Sequence, residues 1–143
     1  MFKHLEAKDI ISSLENTTRQ YLVGQLKLPQ ILAHYDDENV EIGVTSYSEY
    51  TIELPHWHMV AYEYQYMIRG ETKYLDLDSG EETHYYAGDF YRIEPNTKYA
   101  QKSLTNTSIL FIKTPQGNDK EIIPPTLELK KWFESWDEKY SQK

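Results

Sequence analysis

Two histidines and a glutamate within eight residues are the part of the sequence best suited to chemistry. His56 and His58 lie two positions apart, so on an extended chain both imidazoles project from the same face. Glu63 follows five residues later, and imidazole together with carboxylate is a ligand set that suits a divalent transition metal. His58 and Glu63 have opposite parity, so residues 59–62 must bend the chain for the three side chains to converge.

Short strands at nearly even spacing surround this segment. Apolar and β-branched residues, punctuated by turn signals such as Asp78-Ser79-Gly80, predict strands over 40–47, 51–54, 63–68, 71–77, 81–86, 90–93, 98–103 and 108–113. Upstream, two shorter strands are predicted at 21–23 and 30–32, and residues 117–120 are interpreted as a turn after the last strand. This spacing is typical of a β-sandwich or barrel.

A helix is predicted at each end of the strands. Residues 5–15 have a loose apolar stripe, and residues 126–141 have a continuous apolar face that begins at the capping residue Thr126. That face consists of Leu129, Trp132, Phe133, Trp136 and Tyr140. We expect it to cover the outside of the barrel, and the alternative is that it builds a dimer interface.

Composition limits the classes of function. The 143 residues suit a single domain over 1–143, and the absence of cysteine excludes thiolate metal sites and thiol nucleophiles. A formal charge of −8 argues against nucleic acid and against an anionic membrane as partners. Charged residues interrupt the first 20 positions, unlike the apolar core of a signal peptide, so a soluble cytoplasmic protein is expected.

The motif around the histidines resembles a known family. The pattern His56-x-His58-x4-Glu63-x6-Gly70 is similar to the first motif of the cupin superfamily, and the stretch from Gly88-Asp89 to Pro95-Asn96 is similar to its second motif. The resemblance covers about 40–115. It implies an all-β, cupin-type jelly-roll barrel with a pocket, in which His56, His58 and Glu63 are metal ligands.

The resemblance is incomplete at one position, because the family's fourth ligand, a histidine, is replaced here by Tyr99. Three interpretations follow: Tyr99 is a weak ligand or donates a hydrogen bond to one, Gln101 on the same strand face supplies an oxygen, or the pocket has lost its metal. Gln65 shares a strand face with Glu63 and is expected to orient the site. Iron, manganese, zinc and nickel all remain open as the divalent metal.

Three functions are compatible with these residues. The first is a metal-dependent enzyme of dioxygenase or isomerase type that acts on a small polar molecule, with Tyr99, Gln65 and Gln101 as its catalytic residues. The second is a metal-free epimerase or isomerase of the type that acts on sugars, in which histidine and Tyr99 transfer protons. The third is a non-catalytic module that binds or senses a small ligand. The resemblance also implies a homodimer.

Overall fold

The computed structural model describes residues 1–141 and contains ten strands between two short helices. The elements are α1 (Ala7–Ser13), β1 (Arg19–Val23), β2 (Glu41–Tyr47), β3 (Thr51–His58), β4 (Tyr62–Arg69), β5 (Glu71–Asp76), β6 (Glu82–Tyr86), β7 (Phe90–Ile93), β8 (Tyr99–Ser103), β9 (Thr107–Thr114), β10 (Lys120–Ile122) and α2 (Leu127–Phe133). Within this described part of the chain, no helix is long and apolar enough to cross a membrane.

The strands form two five-stranded sheets whose named strands all pair antiparallel. The first sheet has the order β1-β2-β9-β4-β7, and the second has the order β10-β3-β8-β5-β6. Neighbours in sequence such as β3 and β4 therefore lie in different sheets, as in a jelly roll. This arrangement, with one helix at each end of the strands, confirms the predicted fold class.

Apolar side chains pack in two separate layers. One cluster lies between the sheets and consists of Met67, Tyr74, Tyr91, Tyr99 and Ile109. The second lies between the outside of the second sheet and α2, and consists of Leu75, Ala100, Leu129, Trp132 and Phe133. The aromatic face of α2 therefore covers the second sheet, as the sequence predicted.

The C-terminal helix is shorter than the predicted 126–141. Thr126 caps its first turn by accepting a hydrogen bond from the Leu129 amide, but the helix ends at Phe133. The reason is Lys102, a buried β8 residue whose ammonium donates to the carbonyls of Trp132, Ser135 and Glu138 at 2.9, 3.0 and 2.8 Å. These carbonyls are satisfied by one cation instead of by further helical turns.

Two other predictions about short segments were wrong. Residues 30–32 form no strand, because the Gln30 side chain pairs with both the amide and the carbonyl of Tyr21, at 2.8 and 2.7 Å, and so takes the place of a neighbouring strand. Residues 117–120 do not simply end the sheet. The chain continues into β10, whose Lys120 lies opposite His58 of β3.

The bend predicted at residues 59–62 is the crossing between the two sheets. β3 ends at His58 in the second sheet, and β4 begins at Tyr62 in the first. Since the sheets face each other, side chains of opposite parity on the two strands can point into the same interior.

Candidate metal centre

The three predicted metal ligands converge inside the barrel. His56 and His58 come from β3 and Glu63 comes from the start of β4, and each residue is at most 9% exposed. One potential ligand atom from each residue lies within 4.8 Å of the other two. The structure thus brings together a carboxylate and two imidazoles from sequence-adjacent strands of opposite sheets.

The imidazole of His56 is oriented by its own strand. Its Nδ1 lies 2.8 Å from the Leu54 carbonyl oxygen, which can only accept, so Nδ1 carries the proton. Its Nε2 therefore presents a lone pair to the interior, 2.9 Å from the Tyr99 hydroxyl. Burial lowers the pKa of His56, which favours this neutral form.

The imidazole of His58 lies between two carboxylates. Its Nδ1 is 2.8 Å from Asp119 Oδ1, and its Nε2 is 3.0 Å from Glu63 Oε1. Burial lowers the pKa of His58, but the hydrogen bonds and negative charges of Glu63 and Asp119 outweigh burial and raise it overall.

Asp119 is the site residue that the sequence analysis missed. Its Oδ2 accepts hydrogen bonds from the Val60 and Ala61 amides at 3.0 and 2.8 Å, so it also fixes the β3–β4 connection. Burial raises the pKa of Asp119, whereas the hydrogen bonds from His58 and these amides lower it well below its usual range. Asp119 is 61 residues from His58 along the chain, and no local pattern links the two.

Glu63 is held by donors on both of its oxygens. The Tyr99 hydroxyl lies 2.9 Å from Oε1, and the Gln65 amide donates to Oε2 at 3.3 Å. The Gln65 carbonyl in turn accepts from the hydroxyls of Tyr74 and Tyr91 at 2.9 and 2.8 Å. Burial raises the pKa of Glu63, but its contacts with His58 and Tyr99 lower it overall, so the carboxylate is ionised.

Counting protons shows that this group of side chains needs a positive charge. With both imidazoles neutral, their protons lie on Nδ1, and the lone pair of His58 Nε2 faces the Glu63 carboxylate at 3.0 Å. The lone pair of His56 Nε2 lies beside them, within the same group of potential ligand atoms. The charge can be a proton on His58 Nε2 or a divalent cation at the centre. Imidazoles that bind metal through Nε2 usually donate Nδ1–H to a carbonyl or carboxylate, so these residues fit a metal.

Tyr99 occupies the fourth position around the centre. Its oxygen is 2.9 Å from both His56 Nε2 and Glu63 Oε1, whereas ligand atoms of a tetrahedral zinc site lie about 3.4 Å apart. The Gln101 amide is engaged away from the three ligands, since it donates to Thr72 Oγ1 at 3.0 Å. Burial, together with the charge of Glu63, raises the pKa of Tyr99 well above its usual value, so its hydroxyl stays protonated.

A cavity of about 1150 Å³ opens onto the centre. Its wall combines the three ligands, Tyr99 and Gln101 with aromatic and cationic side chains, among them Tyr21, Phe111, Arg19, Lys113 and Lys120. A second cavity of about 360 Å³ is lined by Tyr74, Tyr85 and Tyr91, and Tyr99 lines both cavities. The larger cavity has room for a small organic molecule beside the ligands.

Comparison with known proteins gives structural neighbours only. No family model matches the chain, and no curated protein matches its sequence. KdgF from Halomonas sp. superposes with a TM-score of 0.54 at 16% identity, covering 71% of this chain and 80% of KdgF. An uncharacterized conserved protein with a double-stranded β-helix domain from Klebsiella pneumoniae gives 0.52 at 18% identity, covering 62% and 78%.

A third neighbour has a named activity. Pac13 from Streptomyces, described as a unique nucleoside dehydratase, superposes with a TM-score of 0.52 at 16% identity. The match covers 61% of this chain and 70% of Pac13, and variants of Pac13 have been solved with uridine. At these identities the likeness establishes a shared fold, and the chemistry must be argued from the residues described above.

Proposed function

We propose that this chain, which has the cupin fold, binds a divalent metal through His56, His58 and Glu63 and is a metal-dependent enzyme acting on a small polar molecule. The observation that supports the proposal most strongly is the orientation of the two imidazoles. Both Nδ1 atoms are engaged by acceptors, which leaves both Nε2 atoms available at the centre. His58 Nε2 lies 3.0 Å from Glu63 Oε1, and His56 Nε2 lies 2.9 Å from the Tyr99 hydroxyl.

The metal would serve as a Lewis acid that polarises an oxygen of the bound molecule. Around it, Gln65 holds the Glu63 carboxylate in place, and the tyrosines behind Gln65 fix its amide. Tyr99 presents a protonated hydroxyl to the same centre and lines the cavity, so it can donate a proton to a bound molecule or stabilise a developing negative charge. Gln101 lines the same cavity, which supports a contact between its side chain and that molecule.

Proton transfer beside a Lewis acid is the chemistry of an isomerase, so Tyr99 favours the isomerase type over the dioxygenase type. Pac13 binds uridine within a similar fold, which supports a ligand of that size and polarity for the cavity described here. The mixed wall, in which Arg19 and Lys113 accompany Tyr21 and Phe111, suits a molecule that has both a polar group and a flat ring.

The second candidate is a metal-free enzyme that transfers protons. It is favoured by the position of His58 between two carboxylates, because an imidazolium there would donate to both Glu63 and Asp119 and supply the missing positive charge. Tyr99, whose hydroxyl stays protonated, would then act as the acid, and the neutral imidazole of His56 would act as the base. Metal content separates the two candidates.

Elemental analysis of protein purified without chelator is expected to give about one divalent metal ion per chain. Calorimetric titration of stripped protein with zinc or manganese should show stoichiometric binding, and His58→Ala should abolish it. His84→Ala is the matched control, since His84 pairs with Glu71 and stacks on Tyr86 away from the centre. A metal-free wild type would favour the metal-free enzyme, whereas metal binding unchanged in His58→Ala would show that the metal site proposed here is wrong.

Asp119→Asn is expected to weaken metal binding about 10- to 100-fold, because the amide group cannot both accept from His58 and accept from the two loop amides. Glu121→Gln removes the same charge from an exposed β10 residue two positions away and should leave the affinity unchanged. Affinity is measured by competition with a chromophoric chelator. An equal loss in both variants would mean that net charge, not the orientation of His58, controls affinity.

A further inference from the structure

The ammonium group of Lys113 is buried beside the candidate metal centre. Lys113 lies on β9, opposite Glu63 of β4 on one side and Glu41 of β2 on the other, and its side chain is 12% exposed. A lysine is rarely this buried unless its charge is paired. The atoms that pair with this ammonium therefore indicate its role.

Two of the partners of Lys113 lie in residues 115–119, which we call the β9–β10 loop because they join those strands. The ammonium donates a hydrogen bond to the Gly117 carbonyl and lies 3.4 Å from Asp119 Oδ1. The third partner, Glu41 Oε2 on β2, is farther away at 3.9 Å. Lys113 thus ties the β9–β10 loop to the strand that precedes it.

Asp119 is the residue of this loop that reaches the metal centre. Its Oδ1 is shared by His58 Nδ1, at 2.8 Å, and by the Lys113 ammonium, and its Oδ2 accepts from the amides of Val60 and Ala61. Three of these donors belong to β3 and the β3–β4 connection, whereas Lys113 approaches from β9. Lys113 therefore fixes the carboxylate relative to the first sheet.

The charges around the centre balance when Lys113 is counted together with a divalent ion. The carboxylate side chains of Glu41, Glu63 and Asp119 are 12–19% exposed, and Lys113 is the buried ammonium among them. With both imidazoles neutral, the carboxylates exceed the ammonium by two negative charges, which one divalent cation offsets. An unpaired buried charge is costly, so Lys113 lets Asp119 remain a carboxylate beside a neutral imidazole.

We propose that Lys113 is a positioning residue of the metal centre, which holds Asp119 so that His58 keeps its Nε2 toward the centre. Its effect on metal binding rests on the proposed metal site, whereas its hold on Asp119 requires no metal. By charge alone, an ammonium near a metal site repels the ion, and its removal strengthens binding. Positioning predicts the opposite sign, because an Asp119 side chain that rotates leaves His58 free to turn away.

Lys113→Met is expected to weaken zinc binding by the stripped protein about 10-fold, measured by competition with a chromophoric chelator. Lys120→Met is the matched control, since it removes the same charge from an exposed lysine that lies opposite His58 and lines the same cavity. The control should bind zinc as well as the wild type or slightly more tightly. Zinc binding that is unchanged or tighter in Lys113→Met overturns the proposal, as does an equal loss in the control.

Lys113→Gln is the second variant in case Lys113→Met does not fold, as judged by circular dichroism and thermal unfolding. It removes the same charge and is expected to weaken zinc binding in the same direction.

A double-mutant cycle shows whether Lys113 acts through Asp119. In an Asp119→Asn background, Lys113→Met should cause no further loss of zinc affinity, because the orientation that Lys113 maintains is already lost. A further loss of about 10-fold in that background would show that Lys113 supports the barrel in general, and this result would overturn the proposal.

Hydrogen exchange of the metal-free protein tests the hold on Asp119 separately. The Val60 and Ala61 amides donate to Asp119 Oδ2, so in Lys113→Met both should exchange at least about 10-fold faster, while the amides of β5 keep their wild-type rates. Unchanged exchange at these two amides overturns the proposal. A wild type that binds no zinc refutes the proposed metal site alone, and the exchange rates then decide whether Lys113 positions Asp119.

Discussion

Lys102→Met is expected to lower the free energy of unfolding by about 3 kcal/mol. The ammonium of Lys102 donates to one carbonyl in the last turn of α2 and to two carbonyls just beyond the helix. Methionine keeps the unbranched stem but leaves those acceptors unpaired. Burial lowers the pKa of Lys102 to about 8, so at pH 7 most of the amine still has three protons to donate. Relief of the buried charge in the variant offsets part of the loss.

Urea unfolding measures this effect as a lower midpoint concentration of urea, with an unchanged dependence of the free energy of unfolding on urea concentration. Lys130→Met is the matched control, because Lys130 is an exposed residue of α2. The free energy of unfolding of this variant should differ from that of the wild type by less than about 0.5 kcal/mol. A Lys102→Met variant as stable as this control would show that the carbonyls find water or other donors.

Alkaline pH is expected to destabilise the fold through its buried tyrosines. Burial raises the pKa values of Tyr47, Tyr74 and Tyr91 far above the unfolded value of about 10. Because the folded state holds these protons after the unfolded state releases them, their stabilising contribution is complete below pH 10 and is lost as the pH rises further. Each of these three tyrosines should lower the free energy of unfolding by about 1 kcal/mol between pH 10 and pH 11, about 3 kcal/mol for the three together. Tyr99, whose pKa burial also raises well above its usual value, adds to this loss.

Comparison of the wild type with Tyr74→Phe measures the contribution of Tyr74 alone to this loss of stability at alkaline pH. The variant should lose about 1 kcal/mol less than the wild type over the same interval, whatever its stability at neutral pH. The opposite contribution of Lys102, whose pKa is lowered in the fold, is common to both proteins and cancels. Tyr86→Phe, at a residue 52% exposed, should follow the wild type. Parallel curves for Tyr74→Phe and the wild type would show that Tyr74 ionises in the fold.

The elements that sequence analysis predicted well are those whose signals are local. The strand predicted over 90–93 matches β7, since a Gly-Asp turn and a proline turn mark its two ends. His56, His58 and Glu63 are close in sequence and on consecutive strands, so strand parity and one bend were enough to bring them together. In both cases the deciding contacts lie within a few residues.

The features it missed depend on contacts between distant segments. Nothing near Asp119 indicates that it will meet His58, and the short β10 forms only because β3 offers it an edge. Gln30 looked like part of a strand, yet its side chain performs the pairing. Hydrophobic alternation also shows only that a strand has two faces, and here the polar interior turned Ile42 and Val44 outward.

The two imidazoles differ in whether their orientation would be kept if β3 were moved into another protein. The acceptor that turns His56 is the Leu54 carbonyl, so a graft of β3 into another barrel would carry that imidazole with its geometry intact. The acceptor that turns His58 is Asp119, which belongs to the segment leading into β10. A designer who copies only the histidine motif and Glu63 would therefore obtain one oriented ligand and one free to rotate. A design that is to keep both imidazoles oriented must therefore also include the loop that contains Asp119.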